Sequence, residues 1–390
     1  MRHFADIRAL ASQALAAARQ MFVLFFPAFL FPAAVLLVPA ACAPATSVGP
    51  ATMEHASLLR IERADSFTRV EVLDAWHPGR TSQVYVLVPG DAPLPERLPE
   101  GTLLRTPLRR AIACSAVHAG LLADLGRLGS VAGICDARYV CREDLRAALA
   151  AGSPADAGSS VTPDVERLVA LRPDAILVSP FENAGHGTMA AAGAPLVECA
   201  DYMETSALGR AEWMKFFGLL FGCESRTDSL YNTVCAAYDS LCDVAASAKS
   251  RPTLMCDRKE GAIWYVPGGQ SYLGRIYADA GAQYLFADRA ESGSVPLSFE
   301  EVFRTARDAD VWFVKYGAAA GLTYNALAGD FAPYRDFRPW RTRRIYGCNT
   351  YAMPYYETVP FRPDLLLRDV VKIMHPELLP GHTLRFYTPL

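Results

Sequence analysis

The chain lacks the short fixed patterns that mark most enzyme and metal sites. It has no C-x-x-C, no H-E-x-x-H, no G-x-S-x-G and no complete glycine-rich phosphate loop. Gly268-Gly269 follows an expected strand but carries nothing else of a phosphate motif. Glu300-Glu301 is a close carboxylate pair, yet adjacent residues on a helix point in different directions. No catalytic residue is therefore nominated, and an enzyme is not expected. Charge of one sign is also lacking: 38 Lys and Arg stand against 41 Asp and Glu, and the basic residues are scattered. That leaves no footprint for nucleic acid. Cysteine is present at ten positions, but the gaps between Cys114, Cys135, Cys141, Cys199, Cys223, Cys235, Cys242, Cys256 and Cys348 fit no zinc spacing.

What the first fifty residues do contain is an export signal. Arg2, His3, Arg8 and Arg19 give a basic start, and Met21 to Val38 is an almost unbroken apolar run. Pro27, Pro32 and Pro39 interrupt it, and Ala40-Ala41-Cys42 ends it. The ending VPAAC resembles a lipobox with Pro39 in the place usual for Leu, which makes residues 1–41 a lipoprotein signal peptide and Cys42 the site of lipid attachment. A retained membrane span is the second reading. Either way the remainder is expected outside the cytoplasm, in the periplasm or cell envelope and held to a membrane. With Cys42 so used an odd number of cysteines remains, and these are read as free, buried, small hydrophobes. Residues 42–57, rich in Ala, Pro, Ser, Thr and Gly, read as a flexible tether.

Beyond the tether the chain has about two domains' worth of residues at roughly 150 each. Phe67 to Asp74 and Gln83 to Val88 alternate apolar and polar residues around His77-Pro78-Gly79, predicting a β-hairpin within an extension at 58–104. From 105 to 224 strands and helices alternate: strands at 110–114, 131–135, 175–179 and 195–199, helices at 116–125 and 163–170. An apolar face places Trp213, Phe216, Phe217 and Leu220 on one helix over 208–221, ended by Gly222. Ser225-Arg226-Thr227-Asp228 then resembles a capped start for a linker helix over 225–250, which would rise roughly 33 Å. A second alternation fills 251–390, with strands at 254–256, 263–266, 311–316 and 345–347 and helices at 271–280, 299–305 and 363–374. The expected class is α/β: two lobes, each a mostly parallel sheet flanked by helices, joined by one long helix. Clefts between such lobes are the usual place for a small molecule.

Several strings carry a family resemblance. Ser115-Ala116-Val117-His118-Ala119-Gly120-Leu121-Leu122, Asp164-Val165-Glu166-Arg167-Leu168, Leu171-Arg172-Pro173-Asp174 and Leu297-Ser298-Phe299-Glu300-Glu301-Val302 resemble the ferric-siderophore and cobalamin binding proteins of ABC importers. The stretches Ala200 to Thr205, Gly209 to Trp213 and His375 to Pro380 are similar to a lipoprotein branch of that family in gut and oral Bacteroidota. The resemblance implies an ABC permease and ATPase complex in the inner membrane as partner and a large metal chelate as cargo. It also implies docking through one glutamate per lobe, Glu166 and Glu300, with Glu301 as a rival for the second.

For the ligand, the rule that parallel sheets bind beyond the carboxyl ends of their strands selects Ser115, His118, Arg138, Tyr139, the 179–187 loop and Tyr202 on the first lobe. On the second it selects Trp264, Tyr265, Tyr272, Tyr316, Tyr324 and the Asn349 to Tyr356 loop. Aromatic rings suit a bulky chelate and Arg138 an anionic one. Tyr265 and Tyr316 fit a strand core equally well. No cofactor is expected, the iron or cobalt belonging to the cargo. A bare-metal site would have only His118, His186 and Glu204 to draw on. Siderophore leads; cobalamin, haem and a non-transport surface receptor for a chelate are the alternatives.

Overall fold

The computed structural model describes residues 49–51 and 53–390, so the expected signal peptide, Cys42 and most of the expected tether lie outside the described residues. From Glu54 onward the chain is not a tether. The N–H groups of Glu54, His55 and Ala56 donate to the Glu212 carboxylate at 3.0, 2.7 and 2.8 Å, and those of Ser57 and Leu58 to Glu204. Five successive backbone donors are taken up by two buried side chains, which fixes this segment.

The expected hairpin is present and is part of a five-stranded sheet. Strands β1 (Gly49–Ala51), β2 (Leu59–Arg63), β3 (Thr68–Leu73) and β4 (Thr81–Pro89) pair antiparallel, and β5 (Thr102–Thr106) joins β4 in parallel. Leu59, Ile61, Val70, Val72 and Tyr85 fill its buried face at the period of two that strands impose. The Tyr85 hydroxyl accepts the Glu198 N–H at 2.7 Å, docking this sheet on the first lobe.

That lobe is built on β6 (Ala111–Ala113), β7 (Val131–Ile134), β8 (Ala155–Asp156), β9 (Ala175–Val178) and β10 (Leu196–Glu198), all parallel, in the order β10-β9-β6-β7-β8. Its helices are α1 (Ala116–Asp124), α2 (Glu143–Ala150) and α3 (Val165–Ala170). The helix expected over 208–221 is two, α4 (Ala207–Glu212) and α5 (Met214–Phe221), broken at Trp213. There the indole donates to Glu204 at 2.9 Å while the backbone N–H bonds back to the Arg210 carbonyl at 3.4 Å, one residue short of the α-helical spacing. Gly222, at φ +60°, ends α5 in the left-handed conformation that glycine tolerates.

The linker helix α6 (Glu224–Ala246) buries Thr227, Tyr231, Val234, Tyr238, Leu241 and Ala245, a stripe at spacings of four and three. Its cap is Cys223, which supplies no side-chain hydrogen bond, and not Ser225. The second lobe contains β11 (Thr253–Cys256), β14 (Gln283–Tyr284), β16 (Val311–Tyr316) and β17 (Ile345–Asn349) in parallel, with antiparallel β18 (Thr388–Pro389) at one edge. A side sheet of β12 (Lys259–Glu260), β13 (Ile263–Pro267) and β15 (Ser294–Leu297) is inserted. Helices α7 (Tyr272–Asp279), α8 (Phe299–Ala306), α9 (Tyr324–Asp330), α10 (Arg338–Arg341), α11 (Tyr355–Thr358) and α12 (Pro363–Met374) complete it. In chain order the four core strands of each lobe run second, first, third, fourth across the sheet, so the lobes share one plan.

The lobes meet at more than one place. Helix α12 lies along α6, and α11 crosses to α1, where Gly120 allows the close approach. No helix among the described residues is long and apolar enough to cross a membrane.

Candidate functional site

Because the core strands are parallel, the loops beyond their carboxyl ends gather at the lobe seam. After β7, Asp136 adopts φ +53° and accepts the Ser160 N–H at 3.2 Å, turning the chain so that Ala137 to Val140 form a ledge. Arg138 is exposed there, its guanidinium carbon 4.7 Å from the centre of the Tyr139 ring. The ledge, with Cys141, Arg146, Leu149 and Asp156, lines a concavity of about 600 Å³, and Tyr351 of the other lobe completes the wall. One edge of the seam is sealed by polar contacts. The Cys141 thiol donates to the Thr350 carbonyl at 3.1 Å, and the buried Glu357 carboxylate accepts the Cys141 N–H at 2.6 Å.

Behind the seam sits a buried polar cluster. Asp201, following β10, accepts from His118 Nε2 at 3.0 Å and from Arg210 Nε at 3.0 Å. Burial alone would raise the Asp201 carboxyl, but Arg210 and His118 outweigh it and hold it below the ordinary carboxylate range. Arg210 then reaches across to the second lobe, its guanidinium carbon 4.8 Å from the centre of the Tyr272 ring.

On the second lobe Asp257, just past β11 with φ +61°, pairs with Lys315 of β16 at 2.8 Å. Burial works against the Lys315 ammonium, but Asp257 first, and then Tyr387, Cys256 and Tyr356, together outweigh it and keep its pKa well above the ordinary value. Tyr356 stands nearby. The residue is 44 % exposed, and burial of its hydroxyl end pushes that group up to about 12.

The nominated residues fall into three groups. Arg138 and Tyr139 line the concavity, Tyr272 meets Arg210 across the seam, and Tyr356 stands by Lys315, whereas Tyr202 stays within the first lobe, held by the Pro180 carbonyl and touching Phe181. Ser115 and Asn349 have structural contacts of their own. The Ser115 hydroxyl caps α1 by accepting the Val117 N–H at 3.2 Å. Asn349 clamps two loops, donating to the Ala318 carbonyl at 2.8 Å and accepting the Tyr351 N–H at 3.1 Å. The third group is turned away. His118 is 1 % exposed and packs on Phe217, and Trp264 is wholly buried, donating to the Cys256 carbonyl at 3.0 Å and stacking on Trp312. Neither presents surface to a ligand. Tyr324 packs on Trp340 and under Arg343, in the segment that leads into β17, at the far end of that strand from Asn349.

The three bare-metal candidates are separated by their own partners: His118 on Asp201, His186 on Glu198 at 2.9 Å, and Glu204 on Ser57 and Leu58. Among the described residues no group of three or more His, Cys, Asp or Glu is placed to hold a metal ion. Arg210, Asp257 and Lys315 were missed. Asp257 and Lys315 sit at the carboxyl ends of strands and were open to the same rule that found Tyr316; Arg210 lies in the Gly209 to Trp213 string that carries a resemblance, but nothing in sequence set it apart from its neighbours there.

Glu166 and Glu300 are both exposed, each at the second position of a helix, after the caps Asp164 and Ser298. Glu301 is tied to Arg289, whereas Glu300 has no ion pair among the described residues.

Comparison with known proteins places this architecture. Residues 112–328 match the family described as periplasmic binding protein. Two uncharacterized lipoproteins of Methanocaldococcus jannaschii are similar in sequence. One is 28 % identical over 324 residues, covering 79 % of this chain and 76 % of that protein, and the other 23 % identical over 320 residues, covering 78 % and 79 %. Among solved structures, the molybdate periplasmic binding protein of Haemophilus influenzae superposes with a TM-score of 0.58 at 15 % identity, over 72 % of this chain and 90 % of that one. An ABC-type Fe3+-hydroxamate transport protein of Saccharomonospora viridis gives 0.56 at 16 %, over 69 % and 94 %. A periplasmic heme binding protein of Pseudomonas aeruginosa gives 0.54 at 15 %, over 69 % and 93 %. These likenesses fix the fold, and with the match over more than half of its length the chain belongs to the periplasmic binding protein family, whose members are solute-binding proteins and not enzymes.

Proposed function

We propose that this protein captures a ferric siderophore, or another large metal chelate, at the lobe seam and hands it to the permease and ATPase of an ABC importer. In this reading a lipid on Cys42 holds it to a membrane in the cell envelope. The metal is cargo and not a resident cofactor. The observation that carries the proposal is the concavity of about 600 Å³ with Arg138 and Tyr139 on one wall and Tyr351 on the other, and the accessible Tyr356 nearby. Exposed aromatic faces offer a bulky ligand large contact area at low entropic cost, and Arg138 adds a planar cation for an anionic chelate. Relatives of the fold named for Fe3+-hydroxamate and heme support a metal chelate, and a cobalt or haem macrocycle remains the second candidate.

Titration of the purified protein with ferric hydroxamate, ferric catecholate, haemin and cyanocobalamin, followed by intrinsic fluorescence and native mass spectrometry, tests this. One ferric chelate is expected to bind at one molecule per chain. Replacing Tyr351 and Tyr356 together by Ala is expected to weaken it about tenfold or more, equivalent to about 1.4 kcal/mol. Binding of none of the four overturns the proposal; tight binding of haemin or cyanocobalamin alone moves it to the second candidate.

A further inference from the structure

We infer that Cys114 and Cys135 form a disulfide when the chain folds under oxidising conditions, stapling β6 to β7 beneath the first-lobe wall of the seam. Each is the first residue beyond its strand, and the strands are neighbours in register, with Ala113 opposite Ile134. The Cys135 N–H donates to the Ala113 carbonyl at 2.9 Å, which sets the two cysteines side by side. Adjacent strands lie about 4.8 Å apart, inside the roughly 4.4–6.8 Å between Cα atoms that a disulfide spans. The two side chains already share a face of the sheet, with their sulfurs 3.5 Å apart. Among the described residues these are the two cysteine sulfurs that meet. The thiols of Cys141, Cys199 and Cys256 contact instead the Thr350 carbonyl, the Val197 carbonyl and the Tyr284 hydroxyl.

The surroundings favour closure. Ile112, Ile176, Val178 and Met189 cluster around the pair, and the Met189 sulfur lies 3.7 Å from that of Cys114. This cage is apolar, so a cystine loses nothing there that two thiols would gain from water. Cys135 is 1 % exposed inside this cluster, so an oxidant reaches the pair freely only before the lobe has closed, and the contact with Cys135 and burial also push the Cys114 thiol up. The bond is therefore made during folding. One cysteine thiolate attacks a disulfide oxidant, releasing one oxidant thiol and leaving a mixed disulfide; the second cysteine attacks the protein sulfur of that bond and releases the other. Two electrons pass to the oxidant, and the two cysteine protons end on its thiols. In the cell the step rests on the envelope location proposed above, where oxidants of this class operate. Its structural effect is to fix the spacing between Ser115 and Asp136, the starts of the two loops that frame the first-lobe wall.

The test is to refold the purified chain in a buffer with excess oxidised glutathione, quench it in denaturant with an alkylating reagent, digest it, and map the cysteines by mass spectrometry. The expected result is a linked pair of peptides holding Cys114 and Cys135, each unalkylated until reductant is added and together lighter by roughly 2 Da than the free dithiol. Recovery of both as alkylated thiols, or of either joined to a different cysteine, overturns the inference. Oxidant added to the folded, reduced protein is expected to close the bond more than tenfold more slowly than oxidant present during refolding; equal rates overturn the folding-coupled route. The same mapping on protein alkylated at cell lysis separates geometry from compartment. A pair that closes on refolding but is free at harvest leaves the staple standing and overturns the envelope location.

Discussion

Two buried carboxylates fix the segment that leads into β2. Glu212 takes the N–H groups of residues 54 to 56 and the Lys215 ammonium at 2.8 Å, and Glu204 takes those of Ser57 and Leu58. Burial would raise the Glu212 carboxyl, but Lys215 and then the three backbone donors overrule it and hold it below its ordinary 4.5. A carboxylate with a lowered folded pKa contributes stability that is complete above the ordinary value and is lost as pH falls through the lowered one. Urea midpoints are accordingly expected to fall below about pH 4.5, and Glu212→Gln to lower stability at neutral pH while flattening that acid limb. An unchanged pH slope in the variant would show that Glu212 carries none of it. Sequence named Glu204 only as a candidate metal donor, because composition reveals a carboxylate but not the backbone that folds onto it. Arg210 was hidden for the complementary reason: a cation inside an apolar helical stretch has no local partner in sequence, and Asp201 reaches it only when α4 packs back on the loop after β10.

At the scale of elements, the alternation of strands and helices was legible where a core strand is a short apolar run, as in β9 and β16, and a helix is amphipathic, as in α8 and α12. What escaped were elements made by long-range pairing. The strand β5 has one buried residue, Leu104, and exists through its parallel register with β4. The crossing of α11 over α1 is another, and it answers why the lobes hold together beyond the linker helix. A Cβ placed on Gly120 would stand 2.4 Å from the Glu357 carbonyl oxygen, so the glycine is what lets α11 approach. Gly120→Ala is expected to force this joint apart and cost about 1–3 kcal/mol, the usual penalty for overpacking. Chemical denaturation measures it. The neighbouring hydrogen bonds from Cys141 and Arg142 to Glu357 would loosen with it, visible as faster amide exchange at both residues. A stable variant with unchanged exchange would mean that the joint carries little of the lobe contact.

For the whole molecule, the shared strand order gives the two glutamates a meaning that either alone would lack. The helices α3 and α8 each lead into the third core strand of their lobe, β9 and β16, and each carries its glutamate at the same turn after a side-chain cap. Equivalent carboxylates on two lobes of one plan present a pseudo-symmetric pair of charges, the arrangement that suits a partner with two similar halves. The arginine bridge to Glu301 leaves Glu300, and not its neighbour, available for such a contact. On the importer reading proposed above, replacing Glu166 and Glu300 together by Arg is expected to abolish uptake of the chelate in cells while leaving its affinity for the purified protein unchanged. Each single change should reduce uptake partially, since rim charges act mainly on encounter and register. Both sites are exposed, so stability should move by no more than about 0.5 kcal/mol, which a thermal melt of each variant checks. Uptake at the native rate in the double variant, with the protein present at its normal level, would remove the glutamates from the delivery step.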